Sequence, residues 1–452
     1  MCSAPRALAF AVCLILSPAG WAQQPADQAA QKLTIAQAVA FAWEHSPVLQ
    51  AIRQEVPAAE ARLRRARSEG RLQASTTTFL TTGTMQSIVG GAEPVQPRSN
   101  LLVAEDQMLD QSLTVMYPLS TGGRVAAEVA KSNGGLRTAR AEVEAALLEV
   151  AYMVREGYWT VLLNQAVAKI REQSLEEQRE RLRVDQAAYD AGKVPVYYVL
   201  RDKAEVANAV QELVNADRDV ETALLRLKTN MGMEAAAPLE LAADLTYTAE
   251  AAPEPQAAVE EALKTRPELR AALARLEAAR QEVQSRRSSY RPQVSMNLML
   301  DATKISGVSA TGGYTVGVAA SLPILDGGRR AAEVAEARAM QRRTDSERAT
   351  LALQTEEEVR SALLQMSAAA RNVETAQAAL ASAEEDYRVA SQRYFAGKAI
   401  NLEPIEALSV LVRARMNLAQ ATYAYRMAQD ALARAMGRLP ASEPALSTPA
   451  AQ

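Results

Sequence analysis

The stretch Pro118-Leu119-Ser120-Thr121-Gly122-Gly123-Arg124-Val125-Ala126-Ala127-Glu128-Val129-Ala130 returns 205 residues later as Pro323-Ile324-Leu325-Asp326-Gly327-Gly328-Arg329-Arg330-Ala331-Ala332-Glu333-Val334-Ala335, identical at nine of thirteen positions. At the same offset Tyr189-Asp190-Ala191-Gly192-Lys193 meets Tyr394-Phe395-Ala396-Gly397-Lys398, and Met231-Gly232 meets Met436-Gly437. Upstream the match continues at an offset of 220, where Ala42, Pro47, Leu49, Ala51, Ala58 and Ala59 meet Ala262, Pro267, Leu269, Ala271, Ala278 and Ala279. A register held over so many residues is an internal duplication, the first feature to settle in any chain. The difference between the offsets places fifteen extra residues of the first half between Ala59 and Pro118.

Each half reads as helix, two strands, a very long helix, a tight turn and a further helix. In the long element Val143, Leu147, Val150, Val154 and Val161 keep a 4-3-4 spacing with Gly157 at the remaining position, the period of packed helices. From Gly122 to Asp190 such a helix would be ~100 Å long. The flanking helices, 34–69 and 196–230, are each about half that length. The strands alternate instead: Val294, Met296, Leu298 and Leu300 against Gln293, Ser295, Asn297 and Asp301, and Tyr314, Val316, Val318, Ala320 and Leu322 against Thr315, Gly317, Ala319 and Ser321. Leu109, Gln111, Leu113, Val115 and Tyr117 repeat the pattern imperfectly in the first half, and the partner strand is rich in threonine. Strands of about ten alternating residues fit a transmembrane barrel, and alternation alone fits a small water-soluble sheet packed on helices equally well.

The composition limits what such a chain does. The sequence has 452 residues, 50 Lys+Arg against 53 Asp+Glu, and 4% aromatics beside 48% hydrophobic residues. Much of the hydrophobic share is alanine, which suits thin helix-helix seams better than a thick core. A formal charge of -3 gives no footprint for nucleic acid. One histidine, His45, and two cysteines, Cys2 and Cys13, remove most metal sites and nucleophile constellations. Met1 to Ala22 has the charge, apolar run and small residues of a secretory signal peptide, so both thiols are expected to leave with it. The domains then read as 1–22 signal peptide, 23–233 first repeat with strands at about 73–82 and 108–118, and 234–256 linker in an equatorial region. The second repeat follows at 257–437 with strands at about 293–301 and 314–322, then a Pro/Ala-rich tail at 438–452.

Four strands cannot close a barrel, and an open edge in hydrocarbon leaves backbone groups unpaired at several kcal/mol each. Strands that enter a membrane must therefore be completed by other copies: eight from two chains, twelve from three. Long helices with narrow seams suit a hollow cylinder wetted on both sides, which favours three.

The chain resembles the outer-membrane efflux proteins of the TolC family, from Leu33-Thr34-Ile35-Ala36-Gln37-Ala38 and Ser46-Pro47, through both Pro-Leu/Ile-x-x-Gly-Gly-Arg junctions, to Met436-Gly437. The resemblance implies a mainly α fold with a transmembrane β part. It implies a homotrimer whose twelve-strand barrel in outer-membrane lipid continues into a twelve-helix periplasmic tunnel, with no cofactor and no catalysis. The partners it implies are a periplasmic adaptor and an energised inner-membrane transporter. The competing class is a periplasmic coiled-coil scaffold or adaptor that stays outside the membrane.

Within that frame Gly192, Lys193, Gly397 and Lys398 form helix-ending turns at which an adaptor would dock. Glu403 and Glu406 lie three apart on one helix face. By the resemblance they fall where related channels ring a closed entrance with carboxylates. Tyr394 matches a tyrosine that helps latch the closed state in relatives; the basic latch residue aligns with Ala399 and its acidic neighbour with Tyr198, so whether the family's latch exists here is left open by the sequence. His45 has no companion ligand and reads as a surface or capping residue. The pairs Gly122-Gly123 and Gly327-Gly328 lack a phosphate-binding pattern and read as strand-to-helix turns. Gly134-Gly135 has no counterpart in Ala339-Met340, and the loop 83–106 with Gly90-Gly91 is placed at the outer mouth.

Overall fold

A computed structural model describes residues 31–86, 103–305 and 309–438. The signal-peptide segment 1–22, most of the loop 83–106 and all but the first residue of the tail 438–452 lie outside the described residues. The first half runs β1 (Gln31–Leu33), α1 (Ile35–His45), α2 (Pro47–Arg53), α3 (Glu55–Ser68), β2 (Gln73–Gln86), β3 (Val103–Ser120), α4 (Arg124–Asp190) and α5 (Val196–Met231). After β4 (Leu239–Leu241) the second half runs α6 (Pro255–Thr265), α7 (Pro267–Ser288), β5 (Gln293–Ile305), β6 (Thr311–Ser321), α8 (Arg329–Phe395) and α9 (Leu402–Ala435).

The two long helices have 67 residues each, about 100 Å at 1.5 Å per residue. Neither contains a proline, and each starts from a glycine, Gly123 or Gly328, in the left-handed conformation that lets the strand turn into the helix. The helix expected over 34–69 is instead three pieces. Ser46 is extended because Pro47 excludes the α region for the residue before it, and a second break falls at Gln54. Arg266-Pro267 breaks the second half in the same way. Thr34 starts α1 with a capping box, its hydroxyl accepting from the Gln37 amide while the Gln37 side chain accepts from the Thr34 amide.

The four large strands form one antiparallel sheet in the order β2-β3-β5-β6. Their register aligns one face across all four: Thr76, Leu113, Leu300 and Tyr314 share a row, Ala74, Val115, Leu298 and Val316 the next, then Tyr117, Met296 and Val318. The opposite face carries Ser112, Asp301 and Gly313, and Thr303 donates to Asp110 at 2.9 Å there. Phe79, Met116 and Met299 also lie on this second face, which is therefore less polar than the alternation in β5 and β6 predicts. Leu109 to Tyr117 spans about 27 Å along the strand at ~3.4 Å per residue, which at a tilt of about 40° covers about 21 Å, most of an apolar band about 25 Å tall. β2 runs to Gln86 and β3 begins at Val103, so much of the extra length of the first half is strand, beyond the expected ends at 82 and 108. β5 likewise extends to Ile305, and β6 begins at Thr311.

At mid-height the duplication reappears as two packed cores. Ala38, Val39, Ala42, Val154, Ala223, Leu227 and Met231 build one, and their counterparts Ala258, Val259, Ala262, Val359, Ala428, Leu432 and Met436 build the other. Gly157 faces Leu227, as a seam position should: a Cβ there would sit 3.2 Å from the Leu227 side chain. The seam is only part of the burial, because Ala151, Tyr158, Trp159 and Leu162 are buried on further faces of α4. The linker supplies the reason. β4 pairs in parallel with β1, and Leu239, Leu241, Ala243 and Leu245 lie on the first core. Tyr158 donates to the Leu33 carbonyl at 3.0 Å and accepts from the Ala243 amide at 3.2 Å, fastening this strap to α4.

Both Met-Gly pairs are explained by those cores. Gly232 ends α5 with φ +74° and Gly437 follows α9 with φ +70°; a Cβ would lie 2.6 Å from the His45 carbonyl oxygen or 2.8 Å from Arg266 Cα. Each glycine thus sits on the proline break of its own half. Gly232→Ala is expected to cost about 2–4 kcal/mol, from left-handed strain plus backbone overlap. Gly192→Ala, with nothing within 4 Å, is expected to cost about 1 kcal/mol; thermal unfolding of the two purified variants checks the order. Gly134 is also accounted for. A Cβ there would meet Ala278 Cβ at 3.0 Å and the Ala274 carbonyl at 3.2 Å, so the glycine permits the close approach of α4 to α7. Gly135 faces open space.

Candidate functional site

The far ends of α4 and α8 turn through matched motifs. In the first, the Gly192 amide donates to Tyr189 and the Lys193 amide to Ala188; in the second, Gly397 donates to Tyr394 and Lys398 to Arg393, all at 2.8–2.9 Å. These are Schellman caps, with Gly192 and Gly397 each at φ +68°. Lys193 and Lys398 are exposed, and Val196, Tyr197, Phe395 and Ile400 beside them are exposed apolar groups. The turns therefore present two lysines on an apolar collar.

Just inside the turns lies a buried polar cluster that joins the two hairpins. Asp185 of α4 accepts from the Tyr394 hydroxyl of α8 through one carboxylate oxygen and from the Asn401 amide, at the start of α9, through the other at 2.6 Å. The same Asn401 nitrogen lies 3.4 Å from Asp202 of α5, and Arg181 of α4 approaches that carboxylate to 3.8 Å. Asp185, Asp202, Asn401 and Arg181 are all buried. Burial, then the neighbouring Asp185 carboxylate, pushes the Asp202 carboxyl up to about 7 against the opposing pull of Asn401 and Arg181. Burial and the bond to Asp185 also raise the Tyr394 hydroxyl above the usual phenol range, so it remains a donor.

Tyr394 thus has an acidic partner, but it is Asp185. Tyr198, where the sequence placed the acidic neighbour, stacks edge-on against Tyr197 at 4.6 Å instead. The duplication carried the missed signal. Asp185 and Asp202 correspond to Ala390 and Ala407, and Asn401 to Val196. Ala390 and Ala407 are buried like the aspartates they replace. Both aspartates, polar in one repeat only, share Asn401 of the other repeat as a partner.

Of the two predicted entrance acids, Glu403 forms an ion pair with Arg393 at 3.2 Å and Glu406 is exposed. His45 stacks on Phe41, ring centroids 4.1 Å apart, and its Nδ1 lies 3.0 Å from the Phe41 carbonyl, a helix-end role. Higher up, a second buried joint ties the halves together. Asp430 of α9 accepts from Arg155 at 2.7 Å and from the Trp159 indole at 2.9 Å, both on α4. Among the described residues no group of three or more His, Cys, Asp or Glu side chains could hold a metal ion, and no helix is long and apolar enough to cross a membrane.

The model of the family described as "Outer membrane efflux protein" matches residues 38–233 and 258–438, one segment in each repeat. Among curated proteins, the outer membrane efflux protein BepC of Brucella suis biovar 1 (strain 1330) is 24% identical over 299 residues, which span 65% of this chain and 64% of that protein. Among solved structures, the outer-membrane channel OprN superposes with a TM-score of 0.77 at 21% identity over 89% of each chain. The outer membrane protein VceC from Vibrio cholerae gives 0.76 at 20% identity over 89% of this chain and 96% of that one. The CmeC outer membrane channel from Campylobacter jejuni gives 0.75 at 18% identity over 91% and 87%.

Proposed function

The chain belongs to the outer membrane efflux protein family, and from that premise we propose that three copies form a passive exit duct of a tripartite efflux system. The observation that carries this reading is the sheet: four strands, one aligned apolar face, and two unpaired edges, β2 and β6. Its outward groups are exposed in the single chain, with Tyr314 at 77%, Val316 at 64% and Leu80 at 70%. Threefold repetition pairs each β6 with the next β2, removes both edges and seats the apolar face in outer-membrane lipid. A periplasmic scaffold has no use for such a face.

The helices support the same symmetry. Within one chain α4 packs against α9, with Trp159 and Asp430 at the joint. The duplication makes α8 and α5 the equivalent pair. α8 and α5 of one chain do not pack along their lengths as α4 and α9 do, and the counterparts Leu364 and Leu225 are exposed at 70% and 48%. A neighbouring copy would cover them, closing the ring of helices with an apolar joint where the chain's own joint is polar.

On this reading the transported molecule passes through the lumen, and the chain itself performs no chemistry. Energy comes from an inner-membrane transporter, reached through a periplasmic adaptor that docks at the exposed turns around Gly192, Lys193, Gly397 and Lys398. Glu406 lines the entrance with a carboxylate from each copy, and Glu403 contributes through its pairing with Arg393. The native mass of protein extracted by detergent from outer-membrane fractions tests the proposal. A trimer is expected; a monomer or dimer in the soluble periplasm overturns it and moves the scaffold to first place.

A further inference from the structure

We propose that Asp185 and Asp202 share a single proton inside the hairpin tip, and that its loss loosens the clasp between the two hairpins. The inference deepens the reading of the turns as the channel entrance and rests on it for its physiological meaning.

The charges facing the pair are few. α4 supplies Asp185 and Arg181, α5 supplies Asp202, α8 supplies the Tyr394 hydroxyl, and α9 supplies the uncharged Asn401 amide at its N-terminus. Among further ions, Glu177 pairs with Arg415 at 3.6 Å and also draws on Arg181, and Arg393 pairs with Glu403 at 3.2 Å. Two carboxylates, 0% and 1% exposed, therefore meet one guanidinium. Contact with a single Asn401 nitrogen sets them side by side. Ionising both leaves an excess negative charge in a low-dielectric site, and one proton cancels it.

The hydrogen bonds point to where that proton sits. Both oxygens of Asp185 already accept, one from Tyr394 and one from Asn401. Asp202 Oδ2 and Asn401 Oδ1 are buried with no hydrogen-bond partner. An acceptor-only group gains a donor when Asp202 is protonated, which offsets the cost of burying it. Asp185 then remains the ionised acceptor that holds Tyr394 and Asn401.

The pH window follows from the two states. In the clasped state Asp202 holds its proton up to about 7; in a loosened, wetted tip it returns to the ordinary carboxylate value near 4. The clasped state binds more protons between these limits. Its extra stability is complete below about pH 4, is lost as pH rises through about 7, and changes little beyond that. Between pH 5 and 8 the loosened population should rise about a hundredfold.

Two measurements on the full chain in detergent decide the matter, and neither depends on conduction, so a failed duct reading would be distinguishable. Infrared difference spectra should show a protonated carboxylic acid that titrates near pH 7 and is missing in Asp202→Asn. Hydrogen exchange in the first turns of α5, corrected for intrinsic pH dependence, should rise about a hundredfold from pH 5 to 8 in the wild type. In Asp202→Asn, where a neutral amide replaces the protonated acid, it should stay at the pH 5 level. A Glu403→Gln, Glu406→Gln background keeps the entrance acids silent. Absence of the titrating band in the wild type overturns the proposal without need of any variant. So does exchange that ignores pH, or that follows pH equally in Asp202→Asn.

Discussion

Asp430→Ala is expected to destabilise the fold by about 2–4 kcal/mol, because it takes a buried carboxylate acceptor from both Arg155 and Trp159. Arg155 and Asp430 are 8% and 3% exposed at their side chains and 2.7 Å apart, bridging α4 of one repeat to α9 of the other. The second carboxylate oxygen takes the Trp159 indole N–H at 2.9 Å. Alanine leaves the guanidinium without that carboxylate and the indole donor without its acceptor, and each is costly in a site where water cannot substitute. Asp430→Asn keeps an acceptor for one of them and should cost about half as much. Denaturation midpoints of the two variants measure the difference. A loss below about 1 kcal/mol for the alanine variant would show that water reaches this joint and that it behaves as a surface pair.

The ion pairs between α4 and α7 make the contrast. Arg137 with Glu277, Arg270 with Glu144, and Arg275 with Glu142 form an antiparallel ladder of partly exposed pairs. Such pairs are each worth about 0–1 kcal/mol. They set the register of two helices whose contact is made close by Gly134. Losing one should be nearly silent, whereas losing Asp430 should not.

What the sequence made legible is whatever the two repeats share. The long helices, the alternating strands, the Gly-Lys turns and the Met-Gly ends all recur at a fixed offset, and each proved to be an element or a cap of the same kind in both halves. The helix breaks were present in Ser46-Pro47 and Arg266-Pro267, but heptad-like spacing on either side masked them. β1 and β4 are three residues each and pair with each other across most of a repeat, so no local pattern marks them. Tyr158, which fastens them, corresponds to Leu363 in the second core, and its hydroxyl has no repeated partner.

The candidate site was legible only at its rim. The turns and Tyr394 could be read directly, while Asp185, Asp202, Asn401 and Arg181 could not. A latch known by its residues in relatives directs attention to fixed positions, here Ala399 and Tyr198, and neither joins the hairpins. The productive signal is departure from the duplication: polar at 185 and 202, alanine at 390 and 407. The same rule finds the upper joint, since Trp159 and Asp430 correspond to Leu364 and Leu225. In both places the chain breaks its own symmetry where one half must grip the other within a single copy. Where, in the proposed trimer, it would meet another copy, the counterpart is apolar.

Asp185→Ala is therefore expected to release the tip more completely than any other single change there. The carboxylate is fully buried and holds donors from α8 and α9, so alanine leaves the Tyr394 hydroxyl without an acceptor, at about 1–3 kcal/mol, and the Asn401 amide with only its longer contact to Asp202. At 1.4 kcal/mol for each factor of ten, the loosened state should gain about a hundredfold or more. Tyr394→Phe removes one donor and leaves Asp185 with Asn401, so about tenfold is expected. The alanine variant also leaves Asp202 facing Arg181 and Asn401 with no second carboxylate beside it. Burial, the larger cause of its raised pKa, remains while the Asp185 contribution is gone, so the pH dependence of the tip should weaken and move to lower pH. Single-channel recordings of the reconstituted protein check both claims: raised conductance for Asp185→Ala at every pH, and a smaller rise for Tyr394→Phe that still varies with pH. Equal effects from the two variants would place the hold in the tyrosine contact alone and leave Asn401 and Asp202 as bystanders. If neither variant alters conductance, the constriction lies elsewhere, with Glu406, proposed above for the entrance, the next group to change.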